Sequence, residues 1–373
     1  MPELSVEEVK AYLSNLYDKD VQIMYFGGLE KEKKVLQEDD LKGYGYGNPL
    51  LIEYRVGGKQ EKAVLNTMRP GYGFGHDHFS DRAQALLWAH SSFNKLPKHV
   101  HAIDVGAFDR EGRLLSVGQG EEFFQLVRFE QGSEYFLDLE RIKDQEKFTD
   151  LDAARALALS DYLVEIHKSK KDAPELYLRR IRDLLGHGEC IMGLLDSYPD
   201  ELGFIDRKGL EEIEKKCIGW RWKIKNKGYR LCQEHGDFHP WNILFQGGAD
   251  FSVLDRSRGE WGEAADDVSA MSINYVFFSL QKHGELTGAF ESLFRMFVNN
   301  YLEGTQDNEM LKLIQPFYVW RALVIANPIW YPNLEIEIRK KIFNFVHNVL
   351  DVEVFEIDKV NDYLEDQRMQ NAK

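Results

Sequence analysis

The hydrophobic period changes once along this chain, and that change restricts the fold more than any other feature. Between residues 21 and 136 apolar residues come in short runs. Residues 21–26 end at Gly27-Gly28, 50–56 alternate toward Gly57-Gly58, 63–68 follow, and 123–129 (FFQLVRF) form a further run. Gly, Pro and Asn clusters punctuate them, which predicts an antiparallel sheet with hairpin connections around one helix, 80–93, capped by Ser80 or Asp81. From Thr149 the spacing becomes helical: Leu151, Ala154, Leu157, Leu159, Tyr162, Leu163 and Ile166 line one segment that ends near His167. Helical spacing returns over 175–185, 210–217, 266–280, 290–301, 310–325 and 336–350, with a strand-and-hairpin passage at 231–254. Segregated strands and helices predict an α+β fold in two lobes. Residues 1–130 form an N-terminal helix and a small antiparallel β lobe; residues 131–373 form a larger helical lobe.

Composition removes several function classes. With 43% apolar and 13% aromatic residues, a 373-residue chain has material for a core and cannot stay disordered. The 62 acidic against 47 basic side chains leave a net charge of −15, which repels phosphate backbones and argues against nucleic acid as a partner. Most of that charge reads as solubility. Cys190, Cys217 and Cys232 are odd in number and lack CxxC spacing, so no disulfide framework or zinc ribbon is expected, and a reducing cytoplasm fits. Glu3, Glu7, Glu8, Asp18 and Asp20 are wrong for a targeting peptide; Leu4, Tyr12, Leu13, Leu16 and Tyr17 suggest an amphipathic helix instead. Lys312, Gln315 and Arg321 interrupt the most apolar later stretch, 311–331, so no membrane span is expected.

The chemistry concentrates in His235-Gly236-Asp237-Phe238-His239-Pro240-Trp241-Asn242 and the apolar runs 243–245 and 251–254 around Gln246-Gly247-Gly248-Ala249-Asp250. The middle segment is hairpin chemistry, and pairing of the runs brings Asn242 and Asp255 to its open end, with Asp237 on the loop just before. An amide oxygen and a carboxylate suit Mg²⁺ held together with substrate phosphates, and the second carboxylate is free to orient a hydroxyl. The spacing H-x-D-x-x-x-x-N belongs to phosphoryl transfer, with Asp on the attacking hydroxyl and Asn plus a later Asp on metal. A lone His-Gly-Asp would say little; the hairpin and Leu254-Asp255 at its far end make the signal specific. Plainer roles stand beside these. His235 and His239 orient the loop, since Mg²⁺ prefers oxygen. Asp266 and Asp267 have the alternative of capping the helix that follows, and His167 packs near the loop.

These residues resemble the aminoglycoside phosphotransferase family, small-molecule kinases that share a two-lobed protein-kinase-like fold with choline and fructosamine kinases. The resemblance is carried by HGDFHPWNILF at 235–245 and VLDRSRGEWGEAADDVSAM at 253–271, more loosely by LVEIH at 163–167 and FFQLVRFEQG at 123–132, and covers most of the chain. It implies that Asp237 is the catalytic residue, that Asn242 and Asp255 ligate Mg²⁺, and that Asp267 supports the loop. It also implies a hinge over 126–130, where Leu126, Val127 and Arg128 meet the base of ATP or GTP.

The small lobe departs from the family pattern. Where kinases place a strand Lys on the phosphates and pair it with a helix Glu, this chain has Asn66 after Ala63-Val64-Leu65, and the helix offers Asp81 or Gln84. Lys62 and Arg69 flank the strand, with Arg69 on the face opposite Asn66. Two glycine-rich loops are candidates to cover the phosphates: Gly43, Gly45 and Gly47, or Gly71, Gly73 and Gly75. The first precedes a strand, as a kinase glycine loop does, and is preferred.

The leading expectation is therefore Mg²⁺-dependent transfer of the γ-phosphate of ATP or GTP to a hydroxyl of a small molecule. Asn66 in place of Lys motivates an alternative, a weak or inactive pseudokinase that binds nucleotide or a partner. A metallohydrolase using His76, Asp77, His78, His235 and His239 is a third, weaker reading. The acceptor wall is expected in 170–230, where Glu175, Tyr177, Asp183, Glu189, Asp196, Trp220 and Trp222 would suit a cationic amine or sugar.

Overall fold

Local signals at helix starts and turns set most of the elements. The structure, a computed structural model, describes residues 4–28, 49–68, 75–95, 97–120, 122–200 and 202–367. The chain divides into two compact units, Met1–Val127 and Arg128–Lys373, and it is an α+β chain: a small antiparallel sheet in the first unit, mostly helices in the second.

In the first unit Ser5 opens α1 (Val6–Tyr17) through a capping box: its hydroxyl accepts from the Glu8 N–H, and the Glu8 carboxylate accepts from the Ser5 N–H. Strands β1 (Val21–Gly28), β2 (Leu50–Val56) and β3 (Lys59–Leu65) form an antiparallel sheet in that order. Gly57 and Gly58, at φ +56° and +81°, make the two-residue β2–β3 turn, a conformation that side chains resist. Val9 and Leu13 pack with Val21, Ile52 and Tyr54 in a small core. Helix α2 (Phe79–Phe93) and the hairpin β4 (Gly106–Phe108) and β5 (Leu114–Ser116) complete the unit.

Several expectations for this unit are corrected. β3 stops at Leu65, so Asn66 lies just past the strand and is exposed. Lys62 faces Glu53 across the β2–β3 ladder and pairs with it at 2.6 Å. α2 starts after His78, whose N–H donates to Asp81 at 2.8 Å, so Asp81 serves its own helix. The predicted strand 123–129 does not form. Residues 122–132 carry no regular structure, and Phe124, Leu126 and Phe129 are about nine-tenths exposed; among the described residues no strand pairs with this run. Gly43, Gly45 and Gly47, like Gly71 and Gly73, lie outside the described residues.

The second unit runs β6 (Ser133–Glu134), α3 (Tyr135–Gln145), α4 (Asp150–His167), α5 (Pro174–Gly186), α6 (Ile191–Ser197), α7 (Arg207–Ile224), β7 (Cys232–Gln233), β8 (Ile243–Gly247), β9 (Asp250–Val253) and β10 (Trp261–Gly262). It continues through α8 (Ala264–His283), α9 (Gly288–Thr305), α10 (Gln315–Ala326), α11 (Ile336–Leu350) and α12 (Val360–Leu364). Residues Ala264 to Leu280 of α8 are all buried, which makes it the axis of the helical core. Short β-pairs serve the site: β6-β8-β9 is one antiparallel sheet and β7-β10 another. The described residues include no helix long and apolar enough to cross a membrane. All three cysteines are buried free thiols.

Candidate active site

The loop 234–242 is held at both ends by sheet. Upstream, Cys232 and Gln233 pair with Gly262 and Trp261. Downstream, Ile243 pairs with Val253, and the Leu254 N–H donates to the Asn242 carbonyl at 2.8 Å, extending the hairpin by one residue. Asp255 follows at once, exposed and at φ +53°, a left-handed conformation that costs a non-glycine residue of order 1–3 kcal/mol. Gly236, at φ +83°, provides the sharp turn before Asp237.

Asp267 fastens the loop from below. Its carboxylate accepts the N–H groups of His235 and Gly236, both at 2.8 Å, and lies 3.1 Å from His167 Nε2. His167 Nδ1 in turn lies 2.8 Å from the Tyr301 hydroxyl. Burial opposes ionisation of Asp267, but the His167 hydrogen bond and the histidine charges around it bring its carboxyl below the ordinary range. Neither Asp266 nor Asp267 caps α8, whose N-cap is Glu263; both carboxylates are turned to other elements.

Asp237 sits among cations. Arg321 of α10 donates to Asp237 Oδ1 at 2.5 Å, to Asp266 Oδ1 at 2.5 Å and to the Gly236 carbonyl at 3.0 Å, with its guanidinium over the Trp320 ring. The Trp241 N–H donates to His239 Nδ1, and His239 Nε2 lies 3.2 Å from Asn242 Nδ2 and 3.5 Å from Asp237 Oδ2. Burial alone would raise the Asp237 carboxyl; the His239 hydrogen bond and the Arg321 and Arg258 charges outweigh it and hold the group well below the usual carboxylate range. Asn242 Nδ2 donates to the Asp237 carbonyl at 3.0 Å. A carbonyl accepts only, so this bond sets the amide orientation and turns Asn242 Oδ1 to the other side.

Behind the loop, Arg180 of α5 donates to Glu234 Oε1 at 2.7 Å. Burial, aided by the Asp266 and Asp267 charges and opposed by Arg180, pushes the Glu234 carboxyl up to about 8 from 4.5. The folded chain therefore keeps a proton that the unfolded chain has released between those values, and stability falls as pH rises through that window. Glu234→Gln keeps the shape and removes the titration, so its Tm is expected to decline less than that of the wild type between about pH 5 and 8; parallel Tm curves would contradict the assignment.

The structure thus brings Asp237, Asn242, His235, His239 and Asp267 into one loop network, with Asp255 at the adjoining hairpin end. Leu126, Val127 and Arg128 lie in the irregular exposed run, and Asn66 follows β3. Among the described residues no three His, Cys, Asp or Glu side chains converge as a metal site. Sequence reasoning missed the cations. Arg321 stood out only as an interruption of an apolar run; Arg180 in LRRIRD and Arg258 in DRSRG carried no spacing signal.

No family model matches the chain, and no curated protein matches it. Among solved structures, an ethanolamine kinase from Plasmodium vivax is 15% identical, with 87% of this chain and 79% of that chain covered and a TM-score of 0.34. An amicoumacin kinase solved with AMP-PNP and Ca²⁺ is 13% identical, with 95% and 100% covered and a TM-score of 0.43. A choline kinase from Cryptosporidium parvum is 10% identical, with 96% and 92% covered and a TM-score of 0.32. These three matched proteins are small-molecule kinases.

Proposed function

We propose that the chain is a Mg²⁺-dependent phosphotransferase that moves the γ-phosphate of ATP or GTP to a hydroxyl of a small molecule. One observation carries this reading: a partly buried, ionised Asp237 is held by its own loop five residues from an Asn242 whose amide oxygen is oriented, at the end of a hairpin that Asp255 closes. The donor set fits Mg²⁺, because an amide oxygen and one carboxylate suffice when substrate phosphates and water complete the octahedron. Asn242 and Asp255 would hold the ion, which when bound supplies charge neutralisation of the phosphates.

The residues of the chain then act as follows. Asp237 accepts a hydrogen bond from the acceptor hydroxyl and aligns its oxygen with the γ-phosphorus. As the new P–O bond forms, the bond to the bridging oxygen of the β-phosphate breaks, the nucleoside diphosphate departs, and the hydroxyl proton passes to Asp237. A carboxylate held so far below its ordinary range is a weak base, which suits a loose transition state in which positioning outweighs proton abstraction. Arg321 and His239 keep that carboxylate charged and in place.

Calorimetry with ATP and GTP, with and without Mg²⁺, tests the reading. Asp255→Ala is expected to abolish the Mg²⁺-dependent part of nucleotide affinity, about tenfold or more; Mg²⁺-dependent binding that survives the substitution would remove Asp255 from the metal site. The position of Asn66, past β3 where a kinase Lys would stand, favours a second reading as a nucleotide-binding pseudokinase. Nucleotide binding without turnover across amines, sugars and alcohols would support it.

A further inference from the structure

We propose that the acceptor phosphorylated beside Asp237 carries an anionic group, a carboxylate or a phosphate, and that the guanidinium of Arg258 receives it. The proposal rests on the phosphotransferase reading above and names its acceptor class. The chain as a whole is strongly acidic, yet the surroundings of Asp237 are rich in arginine. Arg180 of α5, Arg258 of the loop after β9 and Arg321 of α10 come from three separate elements and all act on the Cys190 thiol next to α6. Two of them are engaged by acidic side chains at hydrogen-bond distance, Arg180 by the Glu234 carboxyl group and Arg321 by Asp237 and Asp266.

Arg258 is different. Its nearest carboxylate oxygens are Glu189 Oε2, 3.4 Å from Nη1, and Asp237 Oδ1, 3.9 Å from Nε. Its Nε is buried and has no hydrogen-bond partner among the described residues. Its guanidinium lies over the Trp320 ring at 4.7 Å, and Trp320 is itself tied down by its indole N–H, which donates to the Glu189 carbonyl at 2.9 Å. A planar cation positioned in this way, without a bidentate partner, matches the geometry of a carboxylate or phosphate. The Glu189 side chain is two-thirds exposed, so its contact is a weak one that an incoming anion displaces. Because Arg258 lies so close to Asp237, one acceptor can place its hydroxyl on Asp237 and its anion on Arg258 with about two or three carbons between them. A cationic amine at the same place would meet the positive charge of the Arg258 guanidinium.

The test titrates the full chain, in Mg²⁺ and ADP, with glycerate, glycerol 3-phosphate, glycerol and ethanolamine, and then measures Mg-ATP turnover with each. At least one of the two anions is expected to bind more tightly than glycerol and ethanolamine, and which one does so distinguishes carboxylate from phosphate. Arg258→Gln is expected to weaken that binding by about tenfold or more. Glu189→Gln, on the exposed rim, is expected to tighten it by about twofold to fivefold, and provides the answer if the Arg258 variant does not fold. The proposal is overturned if glycerol or ethanolamine binds as well as the anions, if neither anion binds below about 10 mM, or if both variants leave anion affinity unchanged. Failure of the underlying reading looks different: Arg258-dependent anion binding with no Mg-ATP turnover on any acceptor. Turnover on uncharged or cationic acceptors with both anions ignored would instead overturn the acceptor class alone.

Discussion

Asp237→Asn is expected to lower Mg-nucleotide turnover by about 10³-fold with any acceptor, because the amide no longer takes the hydroxyl proton and offers a donor where an acceptor is needed. Nucleotide affinity should stay within about threefold of the wild type, since in the proposed reaction Asp237 meets the hydroxyl and not the nucleotide. The two measurements together separate a catalytic loss from a folding loss. The neighbours limit the structural cost: Arg321 keeps Asp266 and the Gly236 carbonyl as partners, and the Asp237 carbonyl still accepts from Asn242. Turnover at the wild-type rate in this variant would remove Asp237 from the reaction.

Arg321→Met has the largest expected effect on stability, about 3–5 kcal/mol in denaturant titration, because it leaves the buried Asp266 and the partly buried Asp237 without the cation they share. Arg321→Lys restores the charge but not the fork that reaches two carboxylates and a carbonyl, so it should recover only part of the loss. The same substitution has a kinetic signature. Burial already favours the protonated form of Asp237, and Arg321 is among the groups that reverse this. Without it the carboxyl moves upward, and turnover acquires an acid limb, falling as pH drops through the raised value. Lys and Met variants that match the wild type in both denaturation midpoint and pH profile would show that Arg321 only fills space.

Much of the site was legible because its parts are close in sequence. Asp237 and Asn242 share one loop, and the Gln246-Gly247-Gly248 turn forces the pairing that brings Asp255 back to Asn242. The long helices were legible for a similar reason: α4, α5, α9 and α11 repeat apolar residues at helical spacing over ten or more positions. Where the reading failed, a distant partner decided. The run 123–129 has strand composition, but a strand exists only when a neighbour supplies its ladder, and here none does. α3 lies before Thr149, where the helical spacing was first read; in the fold Tyr135 is buried against Phe245 and Tyr275. Helix capping remained open as an alternative for Asp266 and Asp267 because nothing local shows that their partners are Arg321, 55 residues after Asp266, and the loop N–H groups, 31 and 32 residues before Asp267.

By itself, then, the sequence determined the types of most elements, the α+β division, and the spacing that sets a carboxylate beside an oriented amide. These follow from turn chemistry and periodicity, which act over a few residues. The tertiary structure alone decided the electrostatic character of the site. A chain of net charge −15 surrounds its central carboxylate with Arg180, Arg258 and Arg321, because Coulomb interactions depend on separation in space and on burial, and those are set only when three distant helices and loops pack around one aspartate.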